Sequence, residues 1–435
     1  MARSGPWMPM ETNIQAWLID AGGVSEAFGS RGRAGETPPR PGLRVKVAGA
    51  SLERLQALAE AAGPLGIEVR WDWGASGGTP GAERPPGPLP VPEAARVRNE
   101  PPGRWSQDAA DGQGLMLGGS QEQLQALVER WQDLDPQAAL ALEAGLRAGL
   151  SRPERFRARG TVYPLARFPY LLGILNVTTD SFYSGARHFG TDAALRRAEQ
   201  VAREGGDWIE VGGESARGGT PLSPEAEAER VAPVVAALRA RIPLPVAVDT
   251  YKPQVARAAV EAGASLINDI SGGADPEMFR VARETGAALV LMHLTARPKE
   301  EYEDPGYPST LDAVRWFLGE RLALAREAGV EEEQLLVDPG LNFGKHPRRD
   351  LEIMRSLKSF SALGRPLYLA TSRKDYLRDL LGLPPEELLE ATEAAVAFAV
   401  LQGVQLFRVH DVAAVARVRA VAWAIHEAVA AGARG

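Results

Sequence analysis

Eight short apolar runs, each ending abruptly in polar or charged residues, constrain this chain more than any other feature. The first is Tyr170-Leu-Leu-Gly-Ile-Leu-Asn-Val-Thr-Thr-Asp180, followed by Asp207-Trp-Ile-Glu-Val-Gly-Gly-Glu-Ser215. The others span Val246–Thr250, Leu266–Asp269, Leu289–His293, Leu335–Pro339, Leu367–Lys374 and Gln405–Asp411. Runs this apolar suit strands buried on both faces, as in a parallel sheet. Polar residues gathered at the C-terminal ends of such strands are what a site built on the sheet requires. From Asn176 to Arg408 the mean step is about 33 residues, close to one βα unit of a (β/α)8 barrel of roughly 250 residues. The fold class read from this pattern is α/β: a TIM barrel with an additional small N-terminal α/β domain.

The chain has 435 residues, long for one domain, which predicts a barrel plus something else. A hydrophobic content of 45% supplies a full core, and a net charge of −7 argues against a nucleic-acid-binding surface. There is no cysteine, which removes disulfides and thiol catalysis and leaves His and carboxylates as metal ligands. No stretch approaches 18 consecutive apolar residues, so no membrane span is expected. Met1-Ala-Arg-Ser-Gly-Pro-Trp lacks the apolar core of a signal peptide. A soluble cytoplasmic protein is the expectation.

Two domains are predicted, 1–150 and 157–435. In the first, residues 1–42 are rich in Gly, Arg and Pro around one apolar run, Ala16-Trp-Leu-Ile. Leu43–Gly49 alternates as a strand, Ser51 caps a helix over Leu52–Ala62, and a strand resumes at Ile67. Residues 74–105, dense in Pro and Gly, read as a long loop. Gly114–Gly119 is followed by a capping box of Ser120 and Gln123 and a helix through Trp131, then a helix over 136–150. In the second domain Gly160–Leu165 predicts a hairpin covering the barrel floor. Asp192 and Ser223 are read as helix caps, Pro253 as a helix start, and Gly263 and Gly286 as stops. Thr295–Pro308 reads as a mobile loop beside the site.

The strand ends present Asn176, Glu210, Asp249, Asn268, Asp338, Lys374, Arg408 and His410 around one mouth. Three carboxylates and two amides can read the edge of a heterocycle. A carboxylate accepts the paired donors of a 2-amino-4-oxo pyrimidine much as it accepts Arg. Lys, Arg and His together suit a phosphate or pyrophosphate. There is no Ser–His–Asp ordering and no P-loop, so positioning and electrostatics are favoured over covalent catalysis.

These motifs, in order, resemble dihydropteroate synthase over roughly residues 157–430. They are Ile174-Leu-Asn-Val-Thr-Thr-Asp-Ser-Phe, Gly212-Gly-Glu-Ser-Ala-Arg-Gly, Val248-Asp-Thr-Tyr-Lys, Ile267-Asn-Asp-Ile-Ser-Gly, Leu291-Met-His, Asp338-Pro-Gly-Leu-Asn-Phe-Gly-Lys, Ser372-Arg-Lys and Arg408-Val-His-Asp-Val. The resemblance implies a transferase that joins 6-hydroxymethyl-7,8-dihydropterin pyrophosphate to p-aminobenzoate in folate biosynthesis. It implies catalytic roles for Asp249, Asp338 and Lys374, pterin contacts from Asn268 and Met292, and a substrate-binding role for Glu210. Arg217, Arg408 and His410 would hold the phosphates, and Ser372, Lys374 and Phe343 would line the p-aminobenzoate site. Asn176 would help hold Mg²⁺. A homodimer is likewise implied by the resemblance alone.

The sequence departs from the family pattern at Thr179, where Pro is usual, at Glu210, where Asp is usual, at Ala216 and Gly218, where Ser or Thr and Pro are usual, and at Asn342, where Gly is usual. These departures keep two alternatives open: a pterin-binding paralogue without synthase activity, and a pterin-dependent methyltransferase, which Arg217, Arg408 and His410 argue against. Plainer readings also stand beside the sharp ones. Asn176, Asp249 and Asp338 can serve as loop caps and Glu210 as a structural ion pair. Glu214 can be a loop residue or a ligand, Met292 barrel core or ring platform, and His293 reads as a structural neighbour of the mouth. Arg297 and Lys299 read as solvated loop charges.

Overall fold

The computed structural model describes residues 15–20, 43–48, 52–65, 67–72, 114–119, 121–150, 153–177, 187–215, 220–300, 304–307 and 309–432. Ser51, Ser120, the Pro/Gly-rich stretch 74–105, Thr179 and Ala216–Gly218 lie outside them. The chain divides into two compact units. One is Met1–Arg152 with Gly306–Asp312 and Ala362–Gly364; the other holds Pro153–Pro305, Ala313–Ser361 and Arg365–Gly435.

The first unit has a sheet of β1 (Gln15–Asp20), β2 (Leu43–Ala48), β3 (Glu68–Asp72) and β4 (Gly114–Gly119), in the order β1-β2-β4-β3. The short apolar run at Ala16 is thus an edge strand, antiparallel to β2. Helix α1 (Leu52–Ala62) joins β2 to β3, and β4 pairs between them, antiparallel to both. Helices α2 (Gln121–Leu134) and α3 (Pro136–Leu150) follow. Leu55, Leu58, Leu117, Leu124, Leu127, Trp131 and Leu142 form a core of their own. Asp135 accepts two hydrogen bonds from Arg54, at 2.6 and 2.7 Å, and one from the Ala138 amide at 3.0 Å. That carboxylate caps α3, whose Pro136 needs no amide partner at N1.

The second unit opens with the hairpin β5 (Arg155–Ala158) and β6 (Thr161–Pro164). Eight parallel strands follow: β7 (Tyr170–Asn176), β8 (Trp208–Gly212), β9 (Val246–Asp249), β10 (Leu266–Asp269), β11 (Ala288–Met292), β12 (Leu335–Asp338), β13 (Tyr368–Leu369) and β14 (Leu406–Val409). Their order is β12-β11-β10-β9-β8-β7-β14-β13, and a parallel bridge from Val337 to Leu367 closes the circle. Helices α4 (Arg187–Arg203), α5 (Pro224–Arg241), α6 (Pro253–Glu261), α7 (Glu277–Thr285) and α8 (Thr310–Glu327) connect β7 through β12. They are followed by α9 (Pro347–Arg355), α10 (Asp375–Leu381), α11 (Leu389–Leu401) and α12 (Val412–Gly432). This is the TIM barrel expected from the eight runs.

Alternation at period two sends Leu172, Trp208, Ala247, Leu266, Val290, Leu336, Tyr368 and Leu406 into one core cluster, which also contains Phe156 and Ala158 of the hairpin. Phe156 and Tyr163 stack at 4.9 Å, and Tyr163 lies 4.8 Å from Trp208, so the hairpin packs with the barrel's inner residues as predicted. On the outer face a Cβ at Gly173 would stand 2.6 Å from Val201 of α4; glycine lets that helix approach its strand.

Ser223 caps α5, its hydroxyl accepting from the Ala226 amide at 3.2 Å with Pro224 behind it, and Gly286 ends α7 in the left-handed region at φ 69°. Asp192 is not a cap: α4 begins at Arg187 and places it in the second turn. An acidic residue near a helix start suits the dipole at either position, so the cap signal did not locate the boundary. No helix among the described residues is long and apolar enough to cross a membrane.

Candidate active site

The strand ends set the site because each barrel strand exposes its last inward residue as the chain turns away. Asp249 closes β9, and its ladder partner Asn268 sits beside it on β10. Met292 closes β11 opposite Asp338, the last residue of β12. Asn176 closes β7, paired with Gly212. From β14, Arg408 and His410 follow the same alternation, and Lys374 stands at the start of α10.

One buried network joins several of these groups. Arg408 donates through Nη2 to Asp249 at 2.7 Å and through Nε to Glu210. Glu210 also accepts from the Tyr368 hydroxyl at 2.5 Å and from Asn268 Nδ2 at 3.3 Å. Glu210 is fully buried. Its ladder partner is Ala247, two residues before Asp249, so it lies a layer beneath the mouth. The structure therefore places Glu210 in an ion pair under the site, the plainer of its two readings. Tyr368 went unnoticed in the sequence; a lone tyrosine in an otherwise aliphatic strand was the available signal. Buried Tyr needs a partner for its hydroxyl, and Glu210 provides it.

Asn268 Oδ1 is buried without a hydrogen-bond partner. It lies among acids whose protonation is strongly perturbed. Burial pushes the Asp249 carboxyl up to about 7, with Arg408 pulling it down and Glu210 pushing it further up. Burial lifts Asp338 to about 6, against the Gly340 amide and Lys374. The Gly340 amide donates to Asp338 Oδ1 at 2.7 Å, which leaves Oδ2 to face other donors. Burial lowers the charged state of Arg408, yet Glu210 and Asp249 outweigh it and hold its guanidinium above the ordinary value. Acids perturbed by desolvation beside a specific charge partner mark functional sites.

Ile270, Met292, Leu294 and Phe343 form a separate apolar cluster with Tyr251 against it. Met292 thus belongs to the mouth rather than to the barrel core. Lys374 Nζ lies 4.7 Å above the Phe343 ring, a cation–π contact. Ser372 Oγ accepts from the His410 amide at 3.3 Å and lies 3.1 Å from His410 Nδ1. Asp249, Asn268, Arg408 and Glu210 are thus one group, Met292, Phe343 and Lys374 a second, and Ser372 and His410 a third. Arg217 lies outside the described residues.

Several neighbours prove structural. Arg373 grips Asp411 at 2.8 and 3.0 Å and donates to the Pro385 and Glu386 carbonyls. Asn342 stands at φ 75°, the left-handed region that glycine favours and Asn tolerates better than most residues, so its place in a Gly position is conformationally sound. His293 is buried with Nδ1 3.0 Å from Lys345 Nζ, and burial with that lysine drives its pKa well below the ordinary value. Lys299 is not a solvated charge: it pairs with Glu214 at 2.9 Å, and both side chains are less than 10% exposed.

Among the described residues no group of three or more His, Asp or Glu is spaced to hold a metal. Asn176 offers a single amide oxygen, exposed at the end of β7. That donor set fits Mg²⁺, which takes few protein oxygens and completes its shell with phosphate and water.

The pterin binding enzyme family model matches residues 172–410. Dihydropteroate synthase of Bacillus subtilis is 43% identical over 249 residues, 57% of this chain and 85% of that enzyme. The Escherichia coli K12 enzyme of the same name is 38% identical over 256 residues, 59% of this chain and 90% of that one. Among solved structures, the Yersinia pestis dihydropteroate synthase in complex with a sulfonamide drug superposes with a TM-score of 0.59 at 35% identity, covering 63% of this chain and 99% of that one. The Xanthomonas albilineans dihydropteroate synthase with 4-aminobenzoic acid gives 0.58 at 37% identity, covering 62% and 98%. A family match across more than half the chain, on a barrel whose strand ends carry the motifs in order, means that this chain belongs to the pterin-binding enzyme family, among the dihydropteroate synthases.

Proposed function

We propose that this chain is a dihydropteroate synthase, condensing 6-hydroxymethyl-7,8-dihydropterin pyrophosphate with p-aminobenzoate to give 7,8-dihydropteroate and pyrophosphate. The observation that carries the reading beyond the family is the unpartnered Asn268 Oδ1 beside Asp249, with Asp338 as a further acid at the end of β12. A buried acceptor without a donor costs free energy. A 2-amino-4-oxo pterin supplies a row of N–H donors that would satisfy it together with the free oxygens of the two acids. Met292 and Phe343 provide the apolar walls such a flat ring needs.

The chemistry follows from positioning. The C–O bond between the pterin methylene and pyrophosphate breaks, and both electrons leave with pyrophosphate. Positive character spreads from the methylene into the ring, where Asp249 and Asp338 stabilise it at short range in a dry site. The amine nitrogen of p-aminobenzoate supplies the electron pair of the new C–N bond and then loses one proton to solvent. No protein nucleophile is required. Arg217, Arg408 and His410 would receive the pyrophosphate, which requires Arg408 to share its guanidinium with the Glu210–Asp249 pair. Lys374, with its ammonium over Phe343, and Ser372 suit the carboxylate end of p-aminobenzoate. Mg²⁺ held at Asn176 would stabilise the leaving charge. We place the protein in the cytoplasm, with its small-molecule substrates, as a homodimer.

The test is pyrophosphate release by the purified chain given pterin pyrophosphate and Mg²⁺, with and without p-aminobenzoate. Release that depends on the amine, with dihydropteroate as product, is expected. Tight pterin binding without amine-dependent release would instead identify a binding protein on the same scaffold.

A further inference from the structure

Asn268 meets the residues beneath it through its amide nitrogen. Nδ2 lies 3.3 Å from Glu210 Oε1 and 3.5 Å from the Tyr368 hydroxyl. That hydroxyl donates to the other Glu210 oxygen at 2.5 Å. Arg408 Nε donates to the same Glu210 oxygen as Asn268 does. Asn268, Tyr368 and Glu210 therefore close a triangle of hydrogen bonds, and the three residues come from β10, β13 and β8.

The direction of each bond follows from the groups present. An ionised carboxylate only accepts, and a phenol has one proton to give. Tyr368 gives that proton to Glu210. Burial and the Glu210 charge raise the Tyr368 pKa well above its ordinary value, so the proton stays. What remains on the hydroxyl is an acceptor. Both neighbours thus require a donor from Asn268, and only Nδ2 is one. An asparagine amide alone could take either orientation. Here the reverse orientation would set Oδ1 against a carboxylate oxygen and a hydroxyl lone pair, beside a fully buried Glu210, where unpaired polar atoms are most costly.

Depth agrees with this assignment. Glu210 and Leu266 both pair with Ala247, two residues before Asp249 and its partner Asn268. Tyr368 pairs with Leu406, two residues before Arg408. The acceptors lie a layer below Asn268, and Oδ1, on the other side of the amide, is buried with no partner among the described residues. We infer that Glu210 and Tyr368 are positioning residues, which fix the polarity of the Asn268 amide so that the mouth offers an acceptor there and selects a ring carrying an N–H donor at that edge. This rests on the synthase reading given above, which brings a pterin to Asn268. A ring with an acceptor or a C–H at that edge leaves Oδ1 unpaired, the kind of loss by which a polar site rejects a near-isostere.

The test is a double-mutant cycle on binding of 6-hydroxymethyl-7,8-dihydropterin, whose lack of pyrophosphate leaves the phosphate-binding groups out of the measurement. Wild type, Tyr368→Phe, Asn268→Ala and the double variant are titrated by calorimetry, and the KM for each substrate is measured alongside. Tyr368→Phe keeps the buried ring and deletes the hydroxyl. It should weaken dihydropterin binding and raise the KM for pterin pyrophosphate about tenfold, with the KM for p-aminobenzoate held within roughly a factor of two. In the Asn268→Ala background the same change should cost less than about twofold, because no amide is left to orient. A folded Tyr368→Phe enzyme with wild-type affinity overturns the inference. So do equal losses in the two backgrounds, which are what a merely structural role predicts. Unchanged affinity in Asn268→Ala overturns the pterin contact, and the inference with it. Absence of amine-dependent turnover in wild type would count against the synthase reading alone, since the binding cycle still decides the role of Tyr368. Should Tyr368→Phe fail to fold, Glu210→Gln, which puts an amide where the carboxylate stands, is carried through the same cycle with the same outcomes for and against.

Discussion

Asp338 shows how one residue carries opposite demands from folding and binding. The residue is 2% exposed, and its pKa is raised from 3.8 to about 6 by burial. The folded chain therefore holds this proton more tightly than the unfolded chain. The group's contribution to stability is greatest at low pH and declines as pH rises from about 4 through about 6. Above that range the ionised acid destabilises the fold by an amount on the order of 3 kcal/mol. Asp338→Asn keeps an oxygen for the Gly340 amide and removes the charge. It should raise the unfolding midpoint at pH 8 by a few degrees, while weakening pterin pyrophosphate binding at least about tenfold through loss of the anionic acceptor. Thermal unfolding at pH 5 and 8, with calorimetry at pH 8, checks both halves; unchanged affinity would remove Asp338 from the pterin role. The position of Asp338 was legible because a strand-end acid after an apolar run projects into the mouth. The depth of Glu210 was not. Alternation tells which face a side chain takes, and only the register with Ala247 tells which layer it occupies. Lys299 was opaque for a related reason: its partner Glu214 comes from another loop, and nothing local announces the pairing.

At the scale of elements, the strands were read most reliably because burial on both faces leaves an uninterrupted apolar signature. Helix starts were read where local chemistry decides them, as at Ser223 and Pro224, and missed at Arg187, where it does not. The barrel's spacing also depends on a close approach that sequence does not advertise. Gly173 sits in the middle of β7 with Val201 of α4 against it. Gly173→Ala would place a methyl 2.6 Å from the Val201 Cγ1 atom, well inside contact distance. Overpacking of this kind should destabilise the protein by about 1–3 kcal/mol. Adding Val201→Ala should recover much of that loss, because the second change opens the space the first one fills. Urea unfolding of the two single variants and the double variant gives the coupling directly. Additive losses would show that the strand, rather than the helix contact, is what the alanine disturbs.

Across the whole molecule, the chain extends beyond the part that its relatives match. The Yersinia pestis enzyme is covered to 99% by 63% of this chain, and the family match at 172–410 lies beyond the first unit's main segment. That first unit has its own sheet and a core around Leu55, Leu117 and Trp131, while the barrel's inner cluster centres on Leu172, Trp208 and Tyr368. The two hydrophobic clusters share no residue, and separate cores are the mark of separately stable domains. The groups assigned to pterin, pyrophosphate and p-aminobenzoate all fall between Asn176 and His410. A chain beginning at Pro153 should therefore retain amine-dependent pyrophosphate release, with both Michaelis constants unchanged. Its thermal midpoint, measured alongside, separates loss of fold from loss of function. If the shortened chain unfolds cooperatively yet turns over slowly, the first unit contributes to catalysis, and the altered Michaelis constant identifies which substrate it serves.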